Sequence, residues 1–214
     1  MNHTIPLLDA AEQRVLGSLI EKSRTTPDYY PMTINSLMAA CNQKTSRNPI
    51  VQYVEAQIVN TLDTLKRKGL ISTATGGTSR VLKFKHNLAI LYPLVPSELA
   101  IICLLLLRGS QTPGEINTNS SRLYEFETLD EVNALLQKLS DPELAFIKAL
   151  ERRPGQKEVR YIHLLGDVMG DVQEIQTERT STGDNKQLEE RVSTLETQLR
   201  DLRNEFDKLM KELS

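Results

Sequence analysis

The segment from Tyr30 to Leu70 constrains the fold of this 214-residue chain most, because two apolar helical patterns flank a wholly polar stretch. Thr33 is a suitable N-cap for the first helix. One face of this helix carries Ile34, Leu37, Met38 and Cys41. The polar stretch runs from Asn42 to Asn48, and Pro49 suits the first turn of a second helix that ends near Lys68. This order predicts a helix-turn-helix.

Flanking elements complete a winged-helix domain over residues 1–88. A first helix is predicted from Asp9 to Lys22, because Asp9 and Glu12 have the spacing of a capping box. The inner stripe of the third helix consists of Val54, Ile58, Leu62 and Leu65. Two segments of strand character then flank the turn at Gly76-Gly77. Three helices followed by such a hairpin make a winged helix.

A second copy of this plan occupies residues 96–165. With an offset of 86, the set Glu12, Val15, Leu19 and Thr26-Pro27 matches Glu98, Ile101, Leu105 and Thr112-Pro113. With an offset of 74, the set Ile58, Leu62, Leu65 and Leu70 matches Val132, Leu136, Leu139 and Leu144. The change of offset predicts that the second copy is 12 residues shorter between its second and third helices. We therefore expect a second winged-helix domain over residues 89–165.

The C-terminal part predicts an association helix. Residues 166–187 are polar and contain glycine, which is typical of a flexible linker. Residues 188–214 carry apolar residues at strict heptad spacing, which indicates a coiled coil and favours a homodimer. The seam consists of Leu188, Val192, Leu195, Leu199, Leu202, Phe206, Leu209 and Leu213. The fold class predicted for the chain is mostly α with small β-hairpins (α+β): two tandem winged-helix domains followed by a C-terminal coiled-coil helix.

Charge is distributed unevenly along the chain. Residues 1–88 carry 11 Lys/Arg against 6 Asp/Glu, whereas residues 89–172 carry 8 against 12. A basic first domain followed by an acidic second one indicates that only the first faces an anionic partner. The second domain would then serve packing or bind a protein partner.

Several motifs resemble those of a known bacterial family. The first domain has the order Pro27-x-x-Tyr30-Pro31, then Ala40-Cys41-Asn42-Gln43-Lys44-Thr45, then Arg47-x-Pro49. The second has Leu106-Leu107-Arg108-Gly109, then Gln111-Thr112-Pro113-Gly114-Glu115, then Tyr124-Glu125-Phe126. Over residues 9–165 the chain resembles the YceH-like family. The resemblance implies a tandem winged-helix fold and bacterial origin, and it implies no activity.

The sequence contains no catalytic signature. His3, His86 and His163 are far apart, and Cys41 and Cys103 sit in apolar helical patterns typical of buried thiols. There is no zinc-ligand pair, phosphate loop or dinucleotide fingerprint. We expect no enzymatic activity, no cofactor and no metal. Without a signal peptide or a long apolar run, a cytoplasmic protein that does not enter membranes is expected.

Double-stranded DNA is the predicted partner, and the chain would be a DNA-binding protein of the transcriptional regulator type. Polar and basic residues of the turn, the third helix and the wing would meet bases and phosphates. They are Asn42, Gln43, Lys44, Thr45, Ser46, Arg47, Asn48, Gln57, Arg80, Lys83 and Lys85. The alternative is a protein-interaction scaffold without specific DNA binding, since winged helices serve both purposes. In that case the polar turn would simply cap the helices beside it.

Overall fold

The computed structural model describes residues 6–74, 81–142, 145–152 and 158–166. Within these ranges it contains seven α-helices and two two-stranded antiparallel sheets, so the predicted mixture of helices and small hairpins is confirmed. The first half comprises α1 (Ala10–Thr25), a 3-10 turn (Pro27–Tyr29), α2 (Ile34–Cys41), α3 (Glu55–Arg67), β1 (Ile71–Ala74) and β2 (Lys83–His86). After α4 (Leu88–Leu91), the second half comprises α5 (Pro96–Arg108), α6 (Pro113–Ser120), α7 (Leu129–Leu139), β3 (Ile147–Ala149) and β4 (Tyr161–His163).

Some predicted features lie outside the described residues. These are the coiled-coil helix at 188–214, the linker beyond Gly166, the turn at Gly76-Gly77, and Arg80. They stay predictions. None of the helices in the described ranges has the length and apolar character that crossing a membrane would require.

The first helix of each half is capped by a glutamate that accepts a backbone hydrogen bond at the start of the helix. Asp9 and Glu12 form the predicted capping box, in which each side chain accepts a hydrogen bond from the other residue's backbone N–H, at 2.8 and 2.9 Å. Glu98 likewise accepts from the N–H of Val95 at 2.9 Å. A lysine from the end of the third helix pairs with each glutamate: Lys68 with Glu12 at 2.5 Å and Lys138 with Glu98 at 2.6 Å.

The hairpins of the two halves also correspond. Ile71 pairs with His86 across the first hairpin, and Ile147 pairs with His163 across the second. The second strand of each hairpin also bridges to the residue before the N-cap of the second helix, Phe84 to Met32 and Tyr161 to Gln111. His86 and His163 therefore occupy equivalent positions, a relationship that sequence matching did not detect.

The structure corrects the predicted pairing of Thr26-Pro27 with Thr112-Pro113. Thr33 is the N-cap of α2, and Thr112 is the N-cap of α6. Thr26 instead precedes the 3-10 turn. The 12 extra residues of the first half are thus divided among three places. Helix α1 has 16 residues against 13 in α5, and eight residues separate α1 from α2 against four between α5 and α6. The remaining difference is between α2 and α3, which 13 residues separate, against eight between α6 and α7.

The predicted start of the third helix near Pro49 is also wrong. Helix α3 begins at Glu55, with Val54 as its N-cap and 60% exposed instead of part of the inner stripe. The side chain of Gln57 accepts a hydrogen bond from the Val54 N–H at 3.0 Å, which caps the helix at this point. Residues 42–54 are therefore a long connection with no regular secondary structure.

The two halves share one hydrophobic core, which runs through the contact between α1 and α5. A Cβ at Gly17 would lie 2.8 Å from Cδ2 of Leu107, so only glycine permits this approach. Cys103 donates from Sγ to the carbonyl of Gly17 at 3.4 Å, and both cysteines are buried free thiols, as predicted. At the edge of the second hairpin, the N–H of Leu8 donates to the carbonyl of Leu165 at 2.6 Å.

Candidate nucleic-acid interface

The polar stretch from Asn42 to Asn48 is the first part of a loop, and the side-chain amide of Asn42 closes that loop by hydrogen bonding to Tyr53. The Asn42 side chain donates from Nδ2 to the carbonyl of Tyr53 at 2.8 Å and accepts the Tyr53 N–H at Oδ1 at 2.7 Å. We call residues 42–53 the clamped loop. Because both ends of the Asn42 amide are used within the protein, this residue is not free to read a base as predicted.

Arg47 lies inside the clamped loop, and its side chain has no exposed surface. Its Nη1 and Nη2 donate to the two carboxylate oxygens of Glu21 on α1, at 3.0 and 2.6 Å, and Nη2 also donates to the carbonyl of Ala40 at 3.0 Å. Burial alone would raise the pKa of Glu21, yet the hydrogen bonds and positive charge of Arg47 hold that pKa below its ordinary value. The structure thus places Arg47 in the interior, whereas the predicted DNA contact requires it on the surface.

Other residues of the clamped loop connect it to the second half. Ser46, in the left-handed region at φ 60°, accepts from Nη2 of Arg108 through Oγ at 2.9 Å. The N–H of Asn48 donates to the carbonyl of Leu107 at 2.8 Å. Gln43 accepts from Arg47 at 3.1 Å. The clamped loop therefore contacts α1, α2 and α5, and these contacts hold the three helices together.

A smaller set of the predicted residues is left on the surface. The side chains of Lys44, Thr45 and Asn48 are exposed at the outer edge of the clamped loop. Gln57 is exposed on α3, where only its carbonyl oxygen is used for capping. Lys83 and Lys85 flank the buried Phe84 on β2, so they share the outward face of the strand and are partly exposed.

The outer face of α3 carries further exposed polar groups besides Gln57. Asn60 is exposed beside Gln57, and Lys66 and Arg67 are exposed in the last turn. Lys66 and Arg67 also complement the negative end of the helix dipole, so their presence in the sequence does not by itself indicate a binding surface. The first turn of the equivalent helix α7 holds two carboxylates, Asp130 and Glu131, and its last turn holds only Lys138. Helix α3 has one carboxylate in its first turn and two cations in its last, so it is the less acidic of the two helices.

Among the described residues, the candidate metal ligands and nucleophiles are His, Cys, Asp and Glu side chains. No group of three or more His, Cys, Asp or Glu within them has the arrangement of a metal site. Burial lowers the pKa of His86 and of His163 to about 4, so both imidazoles are neutral at pH 7. Burial also raises the pKa of the Cys41 thiol to about 11 and that of Cys103 strongly, so neither is a thiolate near neutral pH.

Comparison with known proteins identifies the family. A family described as "Protein of unknown function, DUF480" matches residues 8–156, and the chain belongs to this family. It is similar to proteins named "UPF0502 protein": 45% identical to that of Shewanella halifaxensis over 93% of this chain and 96% of the relative. It is 40% identical to that of Shewanella oneidensis, with 95% and 97% covered, and 40% identical to that of Pectobacterium carotovorum, with 95% and 98% covered. The predicted membership in a bacterial family is confirmed.

Proposed function

We propose that this chain is a non-enzymatic, cytoplasmic DNA-binding protein that uses the first of two winged helices and dimerises through residues 188–214. The observation that carries the proposal is the position of Lys83 and Lys85, side by side on the outer face of β2, in the half that also exposes α3. In a winged helix the third helix enters the major groove and the wing reaches the backbone. The repeated order of three helices and a hairpin supports assigning that role to α3 and the first hairpin.

The exposed groups fall into two kinds, one suited to contacts with DNA bases and one suited to contacts with DNA phosphates. Gln57 and Asn60 are uncharged donors and acceptors on α3, suited to base edges. Lys44, Lys83 and Lys85 are cations on loop and hairpin, suited to phosphates. Arg47 has no part in this revised surface, because its charge is already neutralised by Glu21.

A protein-interaction scaffold is the second candidate, and one observation favours it. Three apolar side chains lie exposed at the junction of the two halves: Ile90 is 77% exposed, Val95 46% and Leu91 37%. An exposed apolar cluster on a protein surface commonly marks a contact with another protein. In this reading, the second half and the junction bind the partner, and the lysines of β2 only protect the edge of the sheet.

DNA affinity as a function of salt separates the two candidates. We expect Lys83→Ala/Lys85→Ala to lower the affinity of the full chain for fluorescent genomic fragments. The slope of log K against log salt should decrease by about 2, roughly one unit for each lost phosphate contact. The matched control is Lys148→Ala/Arg152→Ala, which removes two exposed cations from the second half. Equal effects of the two double variants, or no binding at physiological salt, would reject the DNA-binding proposal.

A further inference from the structure

A small polar pocket lies where the clamped loop meets the second half. Its volume is about 150 Å³. The clamped loop, the C-terminal end of α1 and the end of α5 form its walls, together with the region where α6 ends. The polar groups that matter to the argument are Lys22, Gln43, Ser46, Arg108, Asn119 and Arg122.

The charges around this pocket do not balance. Lys22, Arg108 and Arg122 line it with three cations, and Glu21 is the single lining carboxylate. Glu21 already holds Arg47 at 2.6 Å and Lys22 at 3.1 Å. Within the described ranges, Arg122 is exposed and makes no ion pair. The pocket therefore has an excess of positive charge that no described side chain neutralises.

Among the cations that line the pocket, Arg108 has a buried hydrogen-bond donor without a partner in the part of the chain that the structure describes. Its Nη2 donates to Oγ of Ser46, but its Nε is buried and has no hydrogen-bond partner among the described residues. Burial, with repulsion from Arg47, lowers the pKa of Arg108. A buried donor on a cation is costly unless it is paired, and such an orphan commonly marks the place of a water molecule or an ion.

We propose that this pocket binds a small tetrahedral anion of the phosphate class, either inorganic phosphate or a small phosphate monoester. The volume is large enough for a ligand of that size. Two guanidinium groups and one ammonium provide the charge, since arginine forks match the oxygens of a phosphate. The Ser46 hydroxyl lies beside them, and Asn119 also lines the pocket, with its Nδ2 donating to Oε1 of Gln111 at 2.9 Å. A carboxylate, with two oxygens in one plane, would use fewer of these groups.

A ligand here would join the two halves of the protein. Ser46 and Gln43 belong to the clamped loop, whereas Arg108, Asn119 and Arg122 belong to the second half. An anion that bridges them should stabilise the folded chain in proportion to its occupancy. The site is separate from the lysines of β2, so it does not depend on the proposed DNA binding.

Thermal unfolding of the full chain, with titrated ligand at constant ionic strength, tests the site. The arms are inorganic phosphate, glycerol phosphate and acetate. We expect the melting temperature to rise and saturate with one or both phosphate compounds and to stay flat with acetate. The arm that saturates at lower concentration identifies free phosphate or a monoester as the better ligand. A flat response to both phosphate compounds, or an equal response to acetate, would overturn the proposal.

Two variants assign the effect to the pocket. Arg122→Ala removes an exposed side chain, so the protein should fold normally while the ligand concentration for half-maximal shift rises at least tenfold. Arg108→Lys keeps the charge but loses the fork, and it should also weaken binding. Arg152→Ala is the control for exposed arginine in the second half, and Lys83→Ala/Lys85→Ala should bind phosphate normally even if DNA binding fails. Unchanged phosphate affinity in Arg122→Ala would reject the site.

Discussion

Arg47 and Glu21 form a two-pronged ion pair in the interior of the first half, with N–O distances of 3.0 and 2.6 Å. The two residues are 26 positions apart in the sequence. The pair attaches the clamped loop to α1, and the same guanidinium also satisfies the carbonyl of Ala40 at the end of α2. The polar and basic composition of the loop predicted a DNA-binding surface, yet Arg47 anchors the loop to the interior of the protein.

Truncation of Arg47 should destabilise the fold severely. Arg47→Ala leaves Glu21 buried without its main partner, and we expect a loss of about 3–5 kcal/mol in the free energy of unfolding. Lys44→Ala, three positions away and exposed, should change it by less than about 0.5 kcal/mol. Denaturant unfolding measures both. Replacing both partners, as Glu21→Gln/Arg47→Met, should cost less than Arg47→Ala alone. A double variant as unstable as the single one would contradict the assigned role of the pair.

The clamp at Asn42 should contribute through its two hydrogen bonds. Asn42→Ala leaves the N–H and the carbonyl of Tyr53 without their partner, so we expect a loss of about 1–3 kcal/mol. Asn48→Ala is the matched control, because that amide is exposed and, among the residues that the structure describes, only its backbone is hydrogen-bonded. Hydrogen exchange of the Tyr53 amide should accelerate in Asn42→Ala alone. Unaltered exchange would show that the loop closes without the clamp.

Glycine at position 17 should be required for the contact of the two halves. Gly17→Ala places a Cβ 2.8 Å from the Leu107 side chain, and such overpacking typically costs about 1–3 kcal/mol. Gly114→Ala in α6 meets its nearest atoms only at 3.9 Å, and better helix propensity should make it neutral or stabilising by up to about 1 kcal/mol. The melting temperature should therefore fall in Gly17→Ala and stay unchanged or rise in Gly114→Ala. A stabilised Gly17→Ala would mean that α1 and α5 separate easily.

The two equivalent histidines should make stability depend on pH. Both have a pKa of about 4 when folded and near 6.5 when unfolded, so the unfolded chain binds more protons between these values. Their contribution is complete above pH 6.5 and is lost as the pH falls towards 4, by at most about 3 kcal/mol each. Glu12 and Glu21 have lowered pKa values and add their loss only below about pH 4.5.

Denaturant unfolding between pH 7 and pH 5 isolates the histidine contribution. The wild-type chain should lose stability steadily across this interval, and His86→Gln/His163→Gln should flatten the curve. Lys148→Ala serves as the control, since an exposed lysine does not titrate here. A flat wild-type profile would mean that the imidazoles reach solvent in the folded state.

Local patterns in the sequence predicted the elements well, because their causes are local. The Asp9 and Glu12 capping box, the Thr33 cap and the inner stripe of Ile58, Leu62 and Leu65 were all found as expected. Each depends on residues within one or two helical turns. The start of α3 was misplaced because Asn42, 11 positions before Tyr53, keeps the intervening chain out of the helix.

The candidate site was harder to predict, because exposure depends on distant partners. Seven consecutive polar residues look alike in sequence, yet Arg47 is buried by Glu21 and Ser46 is engaged by Arg108, 62 positions away. The phosphate pocket could not be foreseen for the same reason: its cations come from both halves. The offset of the repeat gave a wrong match for a similar reason. Thr26-Pro27 has the residue types that commonly start an α-helix, but in the structure it starts a 3-10 turn.

The hydrogen bond from Leu8 to Leu165 has a consequence for protein engineering. The two copies are contiguous in sequence, yet the edge of the second hairpin is completed by backbone that precedes the first helix of the first copy. A segment that belongs to the first copy in sequence is therefore part of the second hairpin's edge in the structure. An excised second copy would lack this backbone partner, and a designer would have to graft the segment around Leu8 back onto it.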